Sequence, residues 1–302
     1  MKKIIIGMGG GYDIVVAAML REKLLRTHLE DEIDIGGMLN PKFIHFFDKA
    51  GVGYQEENAV NQVSKKTIKY RRNGLNTRYS YYFNNDKSIH FVDSKLSKEI
   101  NGKIFDFSIY QENKEDIELF LKDNYDLIIF CDVGGDILFF GEKDKMVKTP
   151  IMDAYSIRLA HDLYEIYHKD VKVLLLGIGL DGELPYENIK DNITLIKQKK
   201  GMDLYCHIDA IDIEWLRQVY NKVRYEDKGK TNQLLIDIGM NQVDVSPLAK
   251  KREISKYKEW FHRIYNVDVE ILYDLNPIAK GRTYDEMKLI TAEKGVLMDR
   301  YN

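Results

Sequence analysis

The first twenty residues constrain the fold of this chain more than any other stretch. Three consecutive isoleucines at 4–6 predict a short buried strand. Gly7, Gly9, Gly10 and Gly11 follow within five positions, and an alanine-rich apolar segment then continues at helical spacing. A strand, a glycine turn and a helix form the first half of a parallel α/β unit, in which ligands bind at the carboxyl ends of the strands.

The glycine turn predicts a site for an anionic ligand. Glycines let a ligand approach the backbone, and the start of a helix offers unpaired N–H groups and a positive dipole end. The alternative is a tight turn with close helix packing and no ligand. The dinucleotide fingerprint is matched only in part, because Tyr12 occupies its sixth position and the predicted second strand, 33–39, is not followed by an acid.

Three predicted strands end in glycines and acids. Further buried strands are predicted at 126–131 and 171–177. The acids that follow the three strands are Asp13, then Asp132 and Asp136 around Gly134 and Gly135, then Asp181 and Glu183. Asp153 lies one turn inside a helix that Thr149 and Pro150 are predicted to open. Because the carboxyl ends of parallel strands share one sheet edge, these acids are expected in one cleft.

Carboxylates this close repel one another unless a cation or a raised pKa offsets their charge. Oxygen ligands suit Mg²⁺ or Ca²⁺, and Mg²⁺ is the expected cofactor, with Asp132 and Asp136 as its ligands. Asp136, Asp181 and Glu183 are the predicted catalytic residues. The predicted cofactor-binding residues are Gly7, Gly9, Gly10, Gly11, Asp13, Gly134, Gly135 and Asp153. Alternatively, Asp13 and Asp136 cap helices and Asp181 and Glu183 lie in a solvated loop.

Alternating strands and helices predict one α/β domain over 1–302, with a doubly wound, mostly parallel, Rossmann-like sheet. An elaboration is expected at about 52–110, with an antiparallel hairpin at 76–93 outside the sheet. Later helices are predicted at 210–225, 250–264 and 284–294, and strands at 233–238 and 267–272. Lys280 and Arg282 are candidate cations for an anion, unless Thr283 simply caps the last helix.

Composition excludes several classes of protein. A net charge of −3 without a strongly basic block argues against nucleic-acid binding. The two cysteines have no zinc spacing. The absence of a signal peptide and of a long apolar span predicts a cytoplasmic protein that does not bind membranes. A homo-oligomer is compatible with the sequence, and the expected partner is a small anionic ligand.

Four short blocks resemble a known family. They are Gly9-Gly-Gly-Tyr-Asp13, Val133-Gly-Gly-Asp136, Thr149-Pro-Ile-Met-Asp153 and Asp181-Gly-Glu-Leu-Pro185. In this order they resemble the mainly archaeal family catalogued as domain of unknown function 1152, which implies a Rossmann-like α/β fold and no established activity.

The residues themselves favour an enzyme that acts on a small phosphate-bearing metabolite, a nucleotide or a sugar phosphate, by hydrolysis or group transfer. The alternatives are a nucleotide- or NAD-dependent oxidoreductase and a non-catalytic module that senses a nucleotide. Both the enzyme and the sensor require the glycine turns, so the sequence does not separate them.

Overall fold

The computed structural model describes residues 1–9, 11–39, 75–76, 81–84, 87–90, 92–100, 104–108, 114–141, 147, 150–224, 229–242, 244 and 246–296. The strands in these residues are β1 (Lys2–Gly7), β2 (Glu32–Leu39), β3 (Leu75–Asn76), β4 (Tyr81–Asn84), β5 (Lys87–His90), β6 (Ile104–Ser108), β7 (Leu127–Val133), β8 (Asp170–Leu176), β9 (Met202–His207) and β10 (Arg263–Val267). The α-helices are α1 (Asp13–Thr27), α2 (Val92–Glu99), α3 (Lys114–Asn124), α4 (Pro150–Glu165), α5 (Tyr186–Gln198), α6 (Ala210–Val223), α7 (Lys230–Gly239), α8 (Pro247–Lys251), α9 (Val269–Leu275) and α10 (Tyr284–Glu293). None of the described helices has both the length and the apolar character needed to cross a membrane.

Most strands form one mixed sheet in the order β3-β6-β2-β1-β7-β8-β10-β9. Within this order, the five consecutive strands β6, β2, β1, β7 and β8 are parallel to one another. Strand β10 is antiparallel to both β8 and β9, and β3 is antiparallel to β6. Helices flank this sheet, so the predicted mostly parallel α/β fold is confirmed.

The strand order reverses between β1 and β7. The chain moves outward from β1 to β2 and β6, then returns to β7 and β8 on the other side of β1. Right-handed crossovers in opposite directions place the connecting helices on opposite faces. Accordingly, α1 packs with α2 and α6, whereas α4 packs with α3, α9 and α10. The sheet is doubly wound, and the reversal opens a crevice at the carboxyl ends of β1 and β7.

The β1–α1 unit lies in the centre of the core. Residues 4–6 are fully buried, and residues 14–20 of α1 are no more than 2% exposed. A helix that is apolar on all sides is expected to be enclosed in this way. Ala17 and Ala18 keep the buried side of this helix small, which allows close contact with the sheet. Because both elements are enclosed, the glycine turn between them has a fixed place at the sheet edge.

The predicted hairpin is present, but its surroundings differ from the expectation. Strands β4 and β5 pair antiparallel, apart from the main sheet. Strands β3 and β6, however, belong to the main sheet although both fall within the expected elaboration at about 52–110. Gly36 of β2 leaves room for the buried Phe107 of β6: a Cβ on Gly36 would lie 2.6 Å from its ring.

Several expectations for the last third of the chain were wrong. Residues 233–238 form part of helix α7 rather than a strand. The periodicity of so short a segment, in which Leu234, Leu235, Ile236 and Ile238 are apolar, does not distinguish a strand from a buried helix. Strand β9, which was not predicted, is a largely exposed edge strand with little hydrophobic pattern.

Strand β10 begins at Arg263, where the predicted helix 250–264 was expected to end. Helix α9 occupies most of the segment that was predicted as a strand at 267–272. The change occurs at Asp268, whose side chain accepts the Ile271 N–H at 3.0 Å and caps α9. The capping side chain accepts a backbone N–H group at the start of α9, which in a longer strand would need a partner on a neighbouring strand. The cap therefore fixes the boundary between β10 and α9. The final helix, α10, lies where it was predicted.

Candidate functional site

The carboxyl ends of β1, β7 and β8 lie side by side at one edge of the sheet. Gly7 at the end of β1 pairs with Cys131, and Val133 at the end of β7 pairs with Leu176. The Gly134 N–H donates to the Leu176 carbonyl at 3.1 Å, so β7 and β8 stay together beyond their last pair. The three strands are adjacent and parallel, as the sequence predicted.

Three aspartates meet at this edge and form what we call the acidic cluster: Asp132, Asp136 and Asp153. One carboxylate oxygen from each residue lies within 4.8 Å of the other two. Asp132 and Asp153 are 0% and 1% exposed, and Asp136 is 9% exposed. The sequence predicted Asp132 and Asp136 as metal ligands, and in the structure Asp153 lies beside them.

Two glycines bring Asp132 and Asp136 together. Asp132 is the next-to-last residue of β7, and its Oδ2 accepts the Gly135 N–H at 3.0 Å. Gly134 and Gly135 have φ values of +129° and +103°, which reverse the chain. Asp136 then begins a short 3-10 turn with Gly135 at the capping position, so Asp136 is not a helix cap.

Asp153 reaches the cluster from helix α4. It lies in the first turn of this helix, which starts at Pro150; the predicted cap, Thr149, is outside the described residues. One turn later, the Ser156 hydroxyl lies 3.0 Å from the Met8 carbonyl, which joins the helix to the end of β1. No N–H or hydroxyl group of the described residues donates to either carboxylate oxygen of Asp153, and its hydrogen-bonding neighbour is the carboxyl group of Asp136.

Asp13 borders the cluster from the glycine turn. Its Oδ2 accepts the Gly9 N–H at 2.9 Å. A Cβ on Gly9 would lie 2.8 Å from this oxygen and 3.2 Å from Asp153 Oδ1, so only glycine allows both carboxylates to come this close. Tyr12 occupies the capping position of α1, and Asp13 therefore does not act as its N-cap.

The other glycines of the turn differ in what their surroundings require. A Cβ on Gly7 would lie 2.7 Å from the Ile14 nitrogen, which indicates close helix packing. Gly11 has a φ of +65° with open space around it. Gly10 lies outside the described residues. Because the Gly9 N–H already binds a carboxylate, this donor is not available to a second anion in the arrangement observed.

Asp181 and Glu183 follow β8 and extend the acidic surface. The Asp181 Oδ1 accepts the Glu183 N–H at 3.0 Å, whereas its Oδ2 is buried without a partner among the described residues. Asp181 lies directly against Gly134 of the β7 turn. Glu183 is half-buried and faces an adjoining cleft.

Protons are held unusually strongly at this site. Burial raises the pKa of each of the five aspartates Asp13, Asp132, Asp136, Asp153 and Asp181. The charge of Asp136 raises the pKa of the other four further. For Asp181 the result is a pKa of about 8. Near neutral pH, this carboxyl therefore retains a proton.

The cluster offers oxygen atoms that nothing in the described protein satisfies. Asp132 Oδ1, both oxygens of Asp153 and Asp181 Oδ2 are buried without hydrogen-bond donors among the described residues. Leaving buried polar atoms in this state is unfavourable unless they bind a proton or a cation. A donor set made only of carboxylate oxygens fits Mg²⁺, Mn²⁺ or Ca²⁺ better than softer metals.

A cleft of about 970 Å³ adjoins the cluster on the side of Asp181 and Glu183. Four basic residues line it, and we call them the basic rim: Lys230, Lys251, Arg252 and Lys256. Sequence reasoning missed this feature. The Lys-Lys-Arg run at 250–252 was the available signal, but such runs are usually solvated surface, and only the fold places it beside the acids.

The sequence predicted Lys280 and Arg282, near the start of α10, as cations for an anion, and the structure gives Lys280 other partners. The Thr283 side chain accepts the Glu286 N–H at 3.2 Å and caps the helix. Lys280 pairs with Asp274 at 3.0 Å and lies 3.6 Å from the centre of the Tyr273 ring. The structure therefore supports the capping interpretation of this segment.

Comparison with known proteins places these residues in one family. The profile of the family described as "Protein of unknown function (DUF1152)" matches residues 60–297, which include the acidic cluster, Asp181, Glu183 and the basic rim. The match begins after β1 and the glycine turn. No curated protein and no solved structure matches the chain. Since the profile covers more than half of its length, the chain belongs to the DUF1152 family.

Proposed function

We propose that this protein is a divalent-cation-dependent enzyme that acts on a small phosphate-bearing metabolite, by hydrolysis or group transfer. The observation that carries this proposal is the acidic cluster: three buried carboxylates with oxygens within 4.8 Å of one another at the strand-order reversal. Ligands of doubly wound folds bind at this point.

Electrostatics supports a bound cation. Two like charges about 4 Å apart repel by roughly 4 kcal/mol at an effective dielectric constant near 20. The described part of the chain gives Asp132, Asp136 and Asp153 no lysine or arginine within ion-pair distance. A divalent cation offsets this repulsion and also satisfies the buried oxygens that lack donors.

The residues around the cluster suit phosphoryl chemistry. Bound to Asp132, Asp136 and Asp153, Mg²⁺ supplies a Lewis acid that polarises a phosphoryl oxygen. Burial raises the pKa of the Asp181 carboxyl, which favours a role for this group as proton donor to a leaving oxygen. Asp132 and Asp153 are buried, so they would hold a cation on a side that is shielded from water.

The glycine turn has a revised role in this proposal. Because the Gly9 N–H binds Asp13, and Asp153 lies close by, a bare phosphate at this position would face two carboxylates. A phosphate is therefore better bound through the cation than by the Gly9 N–H. The same contact weakens the oxidoreductase alternative, because a dinucleotide pyrophosphate normally uses the N–H groups of this turn.

Metal titration followed by a turnover assay tests the proposal. We expect Mn²⁺ or Mg²⁺ to raise the melting temperature of the wild-type protein and to have no such effect on Asp153→Asn. Asp191→Asn, which changes an exposed aspartate on α5, is the matched control and should respond as the wild type does.

Turnover separates the enzyme from a sensor. Nucleotides and sugar phosphates are incubated with the protein and Mg²⁺, and products are identified by mass spectrometry. Product formed only with the cation, and lost in Asp153→Asn, supports the enzyme. Binding without product favours the sensor, and a wild-type protein indifferent to divalent cations removes the proposal.

A further inference from the structure

We propose that the basic rim is a subsite for a second anionic group, so that the natural ligand carries a diphosphate rather than a single phosphate. This inference rests on the proposed cation site, which would hold the first phosphate. It concerns the cleft beyond Asp181, whose lining was not expected from the sequence.

Arg252 is the central residue of this subsite. It is half-buried, and its Nη1 donates to the Leu180 carbonyl. The loop after β8 also packs against the aliphatic part of the Arg252 side chain: a Cβ added to Gly182 would lie 3.1 Å from Arg252 Cδ. A guanidinium has five N–H donors in a planar fork, so the bond to Leu180 leaves several for a phosphate.

Arg252 has no carboxylate partner in the described part of the chain. Ion pairs within 4.0 Å are found for many other basic residues, but not for this one. Burial lowers the pKa of its guanidinium, whereas the charges of Asp181 and Glu183 raise it. An arginine that is partly desolvated and unpaired beside a cleft is well suited to bind a phosphate from the cleft.

Acidic and basic residues line the cleft in equal number. Its four carboxylates are Asp181, Glu183, Glu187 and Glu253. Asp181 lies against Gly134 on the side of the acidic cluster, and its Oδ1 accepts the Glu183 N–H at 3.0 Å. Glu253 pairs with Lys256. Glu183 and Glu187 then face three cations: Arg252 and the exposed lysines Lys230 and Lys251.

Asp181 connects this subsite to the acidic cluster. The negative charge of Asp136 raises its pKa, and the positive charge of Arg252 lowers it, so both groups act on the same carboxyl. A ligand with one phosphate on the cluster cation and a second on Arg252 would lie across Asp181.

Calorimetry with inorganic pyrophosphate and orthophosphate, both as Mg²⁺ complexes, tests the subsite. We expect the wild type to bind pyrophosphate about tenfold or more tightly than orthophosphate, as a charge-assisted bidentate contact would give. Arg252→Gln should remove this preference. Lys258→Gln, an exposed lysine close in sequence that does not line the cleft, is the control and should keep it.

A separate measurement determines cation binding at the acidic cluster. Binding of Mn²⁺ alone is followed by electron paramagnetic resonance in each variant, and Arg252→Gln should bind Mn²⁺ as the wild type does. Two results would disprove the subsite while Mn²⁺ still binds: no preference for pyrophosphate in the wild type, or an unchanged preference in Arg252→Gln. In either case the proposed function stands. If the wild type binds no Mn²⁺, the proposed function fails, and the subsite as stated fails with it.

A second variant covers the case in which Arg252→Gln does not fold. The double variant Lys230→Gln/Lys251→Gln changes only exposed side chains. A pyrophosphate preference reduced several-fold supports the subsite, and an unchanged preference contradicts it.

Discussion

Gly134 lies in direct contact with Asp181: a Cβ added to Gly134 would be 2.8 Å from both the Cβ and the Oδ2 of Asp181. This contact joins the turn after β7 to the loop after β8. It brings the third strand end next to the acidic cluster, and it depends on a residue without a side chain.

Gly134→Ala is expected to destabilise the protein and to weaken cation binding. Its φ of +129° is unfavourable for alanine, which costs about 1–3 kcal/mol, and the methyl group must also displace Asp181. Gly141→Ala is a matched control, with a φ of +123° but its nearest neighbour, Pro277 Cγ, 4.0 Å away. Chemical denaturation and Mn²⁺ titration measure both effects. Equal effects of the two variants on Mn²⁺ binding would show that the contact with Asp181 is unimportant.

Removing a charge from the acidic cluster should not destabilise the cation-free protein. Asp136→Asn and Asp153→Asn are expected to leave the melting temperature unchanged or raise it by about 2–4 °C, because repulsion worth roughly 1 kcal/mol is relieved. Both should abolish the stabilisation by Mg²⁺ or Mn²⁺. Differential scanning calorimetry with and without the cation measures this.

The opposite pattern would identify a structural role. If Asp136→Asn lowers the melting temperature of the cation-free protein but retains the response to Mn²⁺, the carboxylate stabilises the β7 turn and is not a ligand. Asp191→Asn on the exposed face of α5 controls for a general change in net charge.

Asp13 and Asp181 should differ in how strongly they affect the site. Asp13→Asn keeps an oxygen that is able to accept the Gly9 N–H, so we expect a weakened but measurable response to the cation. Asp181→Asn removes the titratable proton and should abolish turnover while Mn²⁺ binding is retained. Isothermal titration and product assays compare the two, and full turnover by Asp181→Asn would exclude its role as a proton donor.

The cation-free protein should lose stability as the pH rises through the neutral range. The pKa of Asp181 is raised from 3.8 to about 8 by burial and by Asp136. Its protonated form therefore contributes stability that is fully present below 3.8 and is lost as the pH approaches about 8. Carboxylates with a lowered pKa, such as Glu214 at about 2, titrate below this window.

Cation binding should show the opposite dependence, since it requires deprotonated carboxylates. The stabilisation by Mn²⁺ is expected to increase between about pH 6 and about pH 8. Melting curves over a buffer series measure both trends. A cation-free stability that is flat or rises over this range would contradict the raised pKa values.

The sequence determined the central part of this fold. Residues 4–6, the glycines after them and the apolar helix that follows encode a buried β–turn–α unit through purely local patterns. The runs 127–131 and 173–176 are short, continuous and apolar, as buried parallel strands are. Since parallel strands align their carboxyl ends, the sequence also placed Asp13, Asp136 and Asp181 at one edge.

The tertiary structure decided which acids meet and what lies beside them. The sequence placed Asp153 in the same cleft, but its direct approach to Asp132 and Asp136 depends on the packing of α4 against the turn after β7. The basic rim combines Lys230 with residues about twenty positions later, and neither segment carries a distinctive pattern alone. Likewise, the segment 233–238 is helical because its apolar residues are buried by the packing of α7. A strong local pattern of apolar residues is enough to predict a single strand or helix. Contacts between segments that are distant in sequence depend on tertiary packing, which no short stretch of sequence determines.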